Sequence, residues 1–93
     1  MTVRTRPTPN PDTLKFEVDG ATLTDERQLV FHSAREAEGH PLGSALFGIR
    51  GVRDLLILPT WVSVTRQPAA DWNLLATAVE QVLREHAAAG EGA

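Results

Sequence analysis

Three histidines, twelve acidic residues and a few hydroxyls are the side chains of this chain able to do chemistry. Imidazole ligates zinc, copper and iron, so His32, His40 and His86 invite a metal reading. They fall on three different predicted elements, however, and no pair has the spacing of a metal-binding motif. His40 stands directly before Pro41, and His86 lies near the end of a helix, where a charged imidazole is favoured by the macrodipole. General acid–base catalysis needs two groups converging on one cleft. Glu36 and Glu38 point to different sides of a short helix and Asp25-Glu26 lies in a loop, so a solvated surface accounts for them. Ser33, Ser44 and Ser63 lack a nucleophile-elbow pattern. Gly48-Ile49-Arg50-Gly51 has two glycines but no phosphate-loop lysine, and reads as a helix ending. With no cysteine in the chain, a disulfide framework, a thiolate nucleophile and thiolate ligation of zinc or an iron–sulfur cluster are all removed. No catalytic, cofactor-binding or metal-binding residue is expected.

The elements that would position these groups begin with Val3-Arg4-Thr5-Arg6, a weakly alternating run that reads as an edge strand because prolines follow it. In Thr8-Pro9-Asn10-Pro11-Asp12, proline fixes its own φ and pushes the residue before it into an extended conformation, so the corner is rigid without help from packing. It feeds a second strand in which Leu14, Phe16 and Val18 alternate with Lys15, Glu17 and Asp19. Asp19-Gly20 marks a turn, 24–27 a solvated loop, and 29–32 a third short strand. Ser33 and Glu36 have the spacing of a capping box for a short helix over 34–38, ended by Gly39. Pro41 restarts a helix, with Leu42, Ala45, Leu46 and Ile49 on one apolar face and Gly51 as its stop.

Residues 52–58 and 61–66, separated by Pro59-Thr60, can only form a tight antiparallel hairpin, expected at the middle of the sheet. The first arm is apolar on successive residues, which predicts cover on both faces; the second alternates with Val62 and Val64 inward. Alternation puts Trp61 on the opposite face. There it serves either as a partly exposed binding anchor or as packing against Leu58 or over the far side of the sheet. Asp71 is placed to cap a last helix in which Trp72, Leu75, Val79, Val82, Leu83 and His86 repeat at helical spacing, with Trp72 expected in the core.

At 93 residues the chain fits one domain with one modest core. Its composition is that of a globular protein. A net charge of −3 and a pI near 5.5 argue against nucleic-acid binding, which calls for a clustered basic face. The N-terminus lacks the apolar core of a signal peptide, and no apolar run approaches the ~20 residues of a membrane span. A cytoplasmic protein without membrane contact is the expectation.

Several of these segments together resemble a known family. Pro9-Asn10-Pro11 with Leu14-Lys15-Phe16, Pro41-Leu42 with Leu46-Phe47, Gly51-Val52, Val62-Ser63-Val64-Thr65-Arg66 and Asp71-Trp72, in this order from about Arg4 to His86, resemble the N-terminal domain of the Nfu (NifU-like) iron–sulfur cluster scaffold proteins. The resemblance implies a small α+β fold, an antiparallel sheet with helices packed on it. The expectation is about four strands and two or three helices in a domain over 1–88, with a flexible tail at 89–93. In the family the cluster is carried by a separate C-terminal domain through a Cys-x-x-Cys pair, so scaffold activity does not transfer to a chain without cysteine. His40 stands where the family usually has a small polar cap before Pro-Leu. What the resemblance implies for function is an accessory, non-catalytic role in iron–sulfur cluster biogenesis. The partners would be cluster-assembly or cluster-receiving proteins, met by a monomer without a cofactor. The candidate partner-binding residues are Asn10 and Pro11 at the corner, Lys15 beside it, Arg50 and Arg53 near the helix-to-strand junction, and Trp61. A preorganised corner loses little entropy on binding, and cations steer acidic partners. The alternative is a small iron- or small-molecule-binding protein using carboxylates and histidines.

Overall fold

A computed structural model describes residues 2–91, with side chains through residue 86. Five strands and two helices follow in the order β1 Thr2–Pro7, β2 Thr13–Asp19, β3 Leu29–Phe31, α1 Pro41–Phe47, β4 Val52–Ile57, β5 Trp61–Arg66 and α2 Trp72–Glu91. The strands form one antiparallel sheet in the order β1-β2-β5-β4-β3. The α+β class agrees with the sequence reading, with one strand more than expected. The weak N-terminal run pairs along its whole length, from Thr2↔Asp19 to Pro7↔Leu14. The β4–β5 hairpin lies inside the sheet, with β5 at its centre.

Strand alternation sorts the side chains. Phe16 and Val18 of β2, Val62 and Val64 of β5, and Leu55 and Ile57 of β4 are buried on one face. Leu42 and Leu46 of α1 and Leu75, Val79 and Leu83 of α2 join them in a single core. Each such side chain contributes about 1.5–3 kcal/mol on burial, so this layer carries the stability. Leu23, in the loop between β2 and β3, belongs to the same core because its N–H is tied to the Pro59 carbonyl at 2.8 Å. Both helices pack on this inner face, and among the described residues no helix covers the outer one.

Four local expectations are corrected. Residues 34–38 form consecutive turns and no helix, although the capping chemistry is present: Glu36 N–H donates to Ser33 Oγ at 3.2 Å and the His32 N–H to Glu36 Oε1 at 2.9 Å. A segment of five residues closed by Gly39 is too short to repay helix nucleation. In α1, Ala45 is exposed and Gly43 is buried. Gly43 lets Phe31 approach, since a Cβ there would meet its ring edge at 3.0 Å. The expected cover on both faces of β4 is absent among the described residues. Its unbroken apolar run reflects a bulge at Arg53: Val52 pairs with Arg66 and Asp54 with Thr65, so alternation resets and Leu56 is half-buried on the outer face. Trp72 is half-buried at the margin of the core, for a reason given below.

Helix α2 starts where Asp71 Oδ1 accepts the Asn73 N–H at 2.9 Å, the expected cap, and continues to Glu91. The expected tail 89–93 overlaps this last turn, and its end at 92–93 lies outside the described residues. No helix among the described residues is long and apolar enough to cross a membrane.

Candidate functional site

The six candidate residues fall in four places. Lys15 and Trp61 stand together on the outer face of the sheet. Register places Arg6 opposite Lys15, Arg4 opposite Glu17, and Glu17 opposite Trp61. Partners in register share a face, so these five side chains form one patch. Lys15 Nζ lies 4.4 Å from the Trp61 ring centroid and 3.8 Å from Glu17 Oε2. Arg6 Nε pairs with Glu17 Oε1. The Arg6 hydrogen bond and charge, with the Lys15 and Arg4 charges behind them, hold the Glu17 carboxyl below its usual range despite some desolvation in the opposite sense. Further along the face, Leu56 pairs with Val30, which is 47% exposed. The outer face therefore runs from cationic and aromatic at the β1 side to aliphatic at the β3 side.

Asn10 and Pro11 are bound into the fold. Thr13 N–H donates to the Asn10 carbonyl at 3.0 Å, Asn10 Oδ1 accepts the Asp12 N–H at 2.9 Å, and Thr8 Oγ1 donates across the loop to the Asn10 and Thr13 carbonyls. The Pro11 carbonyl accepts the Trp72 indole N–H at 3.1 Å. Arg66 completes the joint: its Nε meets Asp12 Oδ1 at 3.1 Å, its Nη1 donates to the Ala70 carbonyl at 3.0 Å, and its guanidinium lies 5.5 Å from the Trp72 ring centroid. Trp72 is thus kept at the core margin by its polar end, which needs a partner. The corner reads as the place where the β1–β2 hairpin is fastened to the start of α2.

Arg50 lines a groove of about 610 Å³ with Ile49, Gly51, Ala70, Leu74 and Leu75. Leu74 on its rim is 74% exposed. Gly51 in this lining has φ +102°, and a Cβ there would lie 2.8 Å from Ala70 Cβ. Arg53, at the bulge, lies 3.6 Å from Asp54, whose carboxylate also meets His32 Nδ1 at 3.0 Å. The fold therefore brings Lys15 and Trp61 together and keeps Arg50, Arg53 and the corner apart from them. Besides Glu17, Arg4 and Arg6 are the members of the patch that sequence reasoning passed over. Their alternation with Val3 and Thr5 along the strand was the available signal.

The histidines do not converge. Among the described residues no group of three or more histidine, cysteine or acidic side chains is placed to hold a metal ion. His40 instead serves the backbone, since its Nδ1 accepts the Gly43 N–H at 2.9 Å and caps α1. An imidazole thus serves as the N-cap before Pro41-Leu42. Burial, and secondarily the charge of His86, push the His40 pKa down.

A two-layer, cysteine-free α+β domain with one sheet face uncovered among the described residues is the class of protein defined by this geometry. The family model described as "Scaffold protein Nfu/NifU N terminal" matches residues 3–90, and the chain belongs to that family. It is 33% identical over 91 residues to the NFU1 iron-sulfur cluster scaffold homolog, mitochondrial, of Homo sapiens, covering 97% of this chain and 35% of that protein. It is 31% identical over 90 residues to the protein of the same description from Drosophila ananassae, covering 97% and 32%. The chain thus spans about a third of the length of these relatives. Among solved structures, the NifU-like protein from Saccharomyces cerevisiae superposes with a TM-score of 0.79 at 23% identity, covering 90% of this chain and 76% of that one. Protein SAV1430 from Staphylococcus aureus superposes with a TM-score of 0.71 at 18% identity, covering 89% and 99%. These two likenesses bear on the fold.

Proposed function

We propose that this domain is a non-catalytic interaction module of iron–sulfur cluster biogenesis, acting by protein contacts without ligating a cluster itself. The observation that carries the reading is the uncovered sheet face on which Lys15 stacks over Trp61. An aromatic anchor held in place by a cation presents contact area at little entropic cost, the form taken by interface hot spots. Membership in a scaffold family supplies the setting, and a sequence without cysteine supplies the division of labour. The partners are cluster-assembly proteins or proteins that receive clusters. The patch has Arg4, Arg6 and Lys15 against Glu17, so acidic surfaces are steered towards it.

Titration of the purified protein with ferrous iron under anaerobic conditions, followed by the His32, His40 and His86 NMR signals, tests the non-ligating part. Signals unchanged below millimolar iron agree with the reading. A saturable, site-specific response at micromolar iron contradicts it and restores iron binding as the function.

A further inference from the structure

We infer that the free edge of β1 accepts an acidic, extended segment of a partner protein as a sixth strand of the sheet. The inference rests on the interaction-module reading and specifies where and how the contact is made. Strand β1 lies at the end of the sheet order and spans six residues, of which every one except Val3 is exposed. Its inner face meets α2, where Thr5 Oγ1 donates to Glu80 Oε1 at 3.1 Å. The edge pointing away from β2 pairs with no other strand among the described residues. A strand edge of this kind offers main-chain donors and acceptors to an incoming chain, with side-chain pockets supplying specificity. The opposite edge, β3, has only three residues and runs directly into the turns at 32–39, so it templates a far shorter ladder.

Charge selects the occupant. Strand β1 carries Arg4 and Arg6 and no acidic residue. Arg4 has no ion pair among the described residues. Both arginines line a cleft of about 320 Å³ with Glu17, Val18, Asp19 and Thr60. An incoming strand with carboxylates on alternate residues sets them beside these guanidiniums. A second copy of β1 sets arginines beside arginines, and like charges across neighbouring strands destabilise pairing. Charged side chains and a proline on an edge also protect against uncontrolled strand pairing. Here the same arginines that turn away copies of this chain, and neutral strands, admit an acidic one. Pro7 has no N–H, so the added ladder ends there and the register is limited to Thr2–Arg6.

The test is an NMR titration of the whole chain with a capped hexapeptide alternating valine and glutamate. The proposal predicts saturable shifts centred on the amides of 2–6. It also predicts no comparable response to the valine–lysine peptide, and loss of binding when alternate peptide amides are N-methylated. Arg4→Gln, which breaks no internal ion pair among the described residues and sets no carboxylate opposite Glu17, should weaken binding several-fold and leave the fold's spectrum intact. Absence of saturation at a few millimolar, shifts centred on the α2 groove or on β3, or equal binding of the N-methylated peptide overturns the proposal. Peptide addition decides the edge. The module reading is decided separately, by whether the unaltered protein captures cluster-biogenesis partners.

Discussion

Lys15 Nζ lies 4.4 Å over the Trp61 ring although the two residues sit on different strands, one register step apart on the uncovered face of the sheet. Neither side chain enters the core. Exposed cation–π pairs contribute about 0.5–1 kcal/mol. Lys15→Ala should therefore change stability by no more than about that amount, measured by urea unfolding. If the pair serves binding, partner affinity falls in the same variant by far more than its stability does.

Trp72→Phe isolates the joint between the corner and α2. The ring stays and the indole N–H that reaches the Pro11 carbonyl is lost. A loss of about 0.5–1.5 kcal/mol is expected. The melting temperature of a domain this size should fall by several degrees, roughly 4–8 °C for each kcal/mol. Amide exchange should quicken at Asp12 and Thr13, while the NMR signals of Lys15 and Trp61 stay in place. An unchanged melting temperature would mean that solvent replaces the bond.

His40 predicts a dependence of stability on pH. Its Nδ1 caps α1 only while unprotonated, and burial with the His86 charge holds its pKa below the ordinary value. As pH falls, the unfolded chain therefore takes up this proton before the folded one does. The stabilisation is complete above the unfolded value of about 6.5 and drains as pH falls through the lowered folded value. His40→Asn keeps a capping oxygen and should flatten this part of the acid decline. His40→Ala should cost about 1 kcal/mol at neutral pH. Urea unfolding of the three proteins between pH 5 and about pH 7.5 checks both statements.

Gly39 and Gly51 both have positive φ, at +88° and +102°, but differ in surroundings. A Cβ at Gly39 meets nothing within 4 Å, whereas one at Gly51 meets Ala70 Cβ at 2.8 Å. Gly39→Ala should cost the left-handed backbone penalty of about 1–2 kcal/mol alone. Gly51→Ala should cost more, because the β5–α2 loop must also move. Equal losses by thermal unfolding would show that the loop yields freely.

Most of the fold was legible where one physical signal dominated. Leu14, Phe16 and Val18 alternate without interruption, and Leu75, Val79 and Leu83 keep helical spacing, so β2 and α2 follow from periodicity. The bulge at Arg53 was hidden because one extra residue merges two alternating halves into an apparently unbroken apolar run. Ser33 and Glu36 make local capping contacts as their spacing predicts, yet five residues cannot sustain a helix. The patch was half legible. Trp61 and Lys15 each lay on the outward parity of their strands, but that they touch depends on the β2–β5 register, a contact between distant parts of the chain that neither strand's pattern contains. Trp72 was misplaced for the same reason: its indole partner, the Pro11 carbonyl, lies 61 residues away.

Affinity capture from the source cell tests the central claim most directly, with the intact protein compared against Lys15→Glu combined with Trp61→Ala and both shown to melt alike. The account predicts that the intact protein retains cluster-assembly or cluster-receiving proteins, carries no iron itself, and loses these partners in the double variant. Capture of no such protein by the intact chain, or equal capture by the double variant, would contradict it.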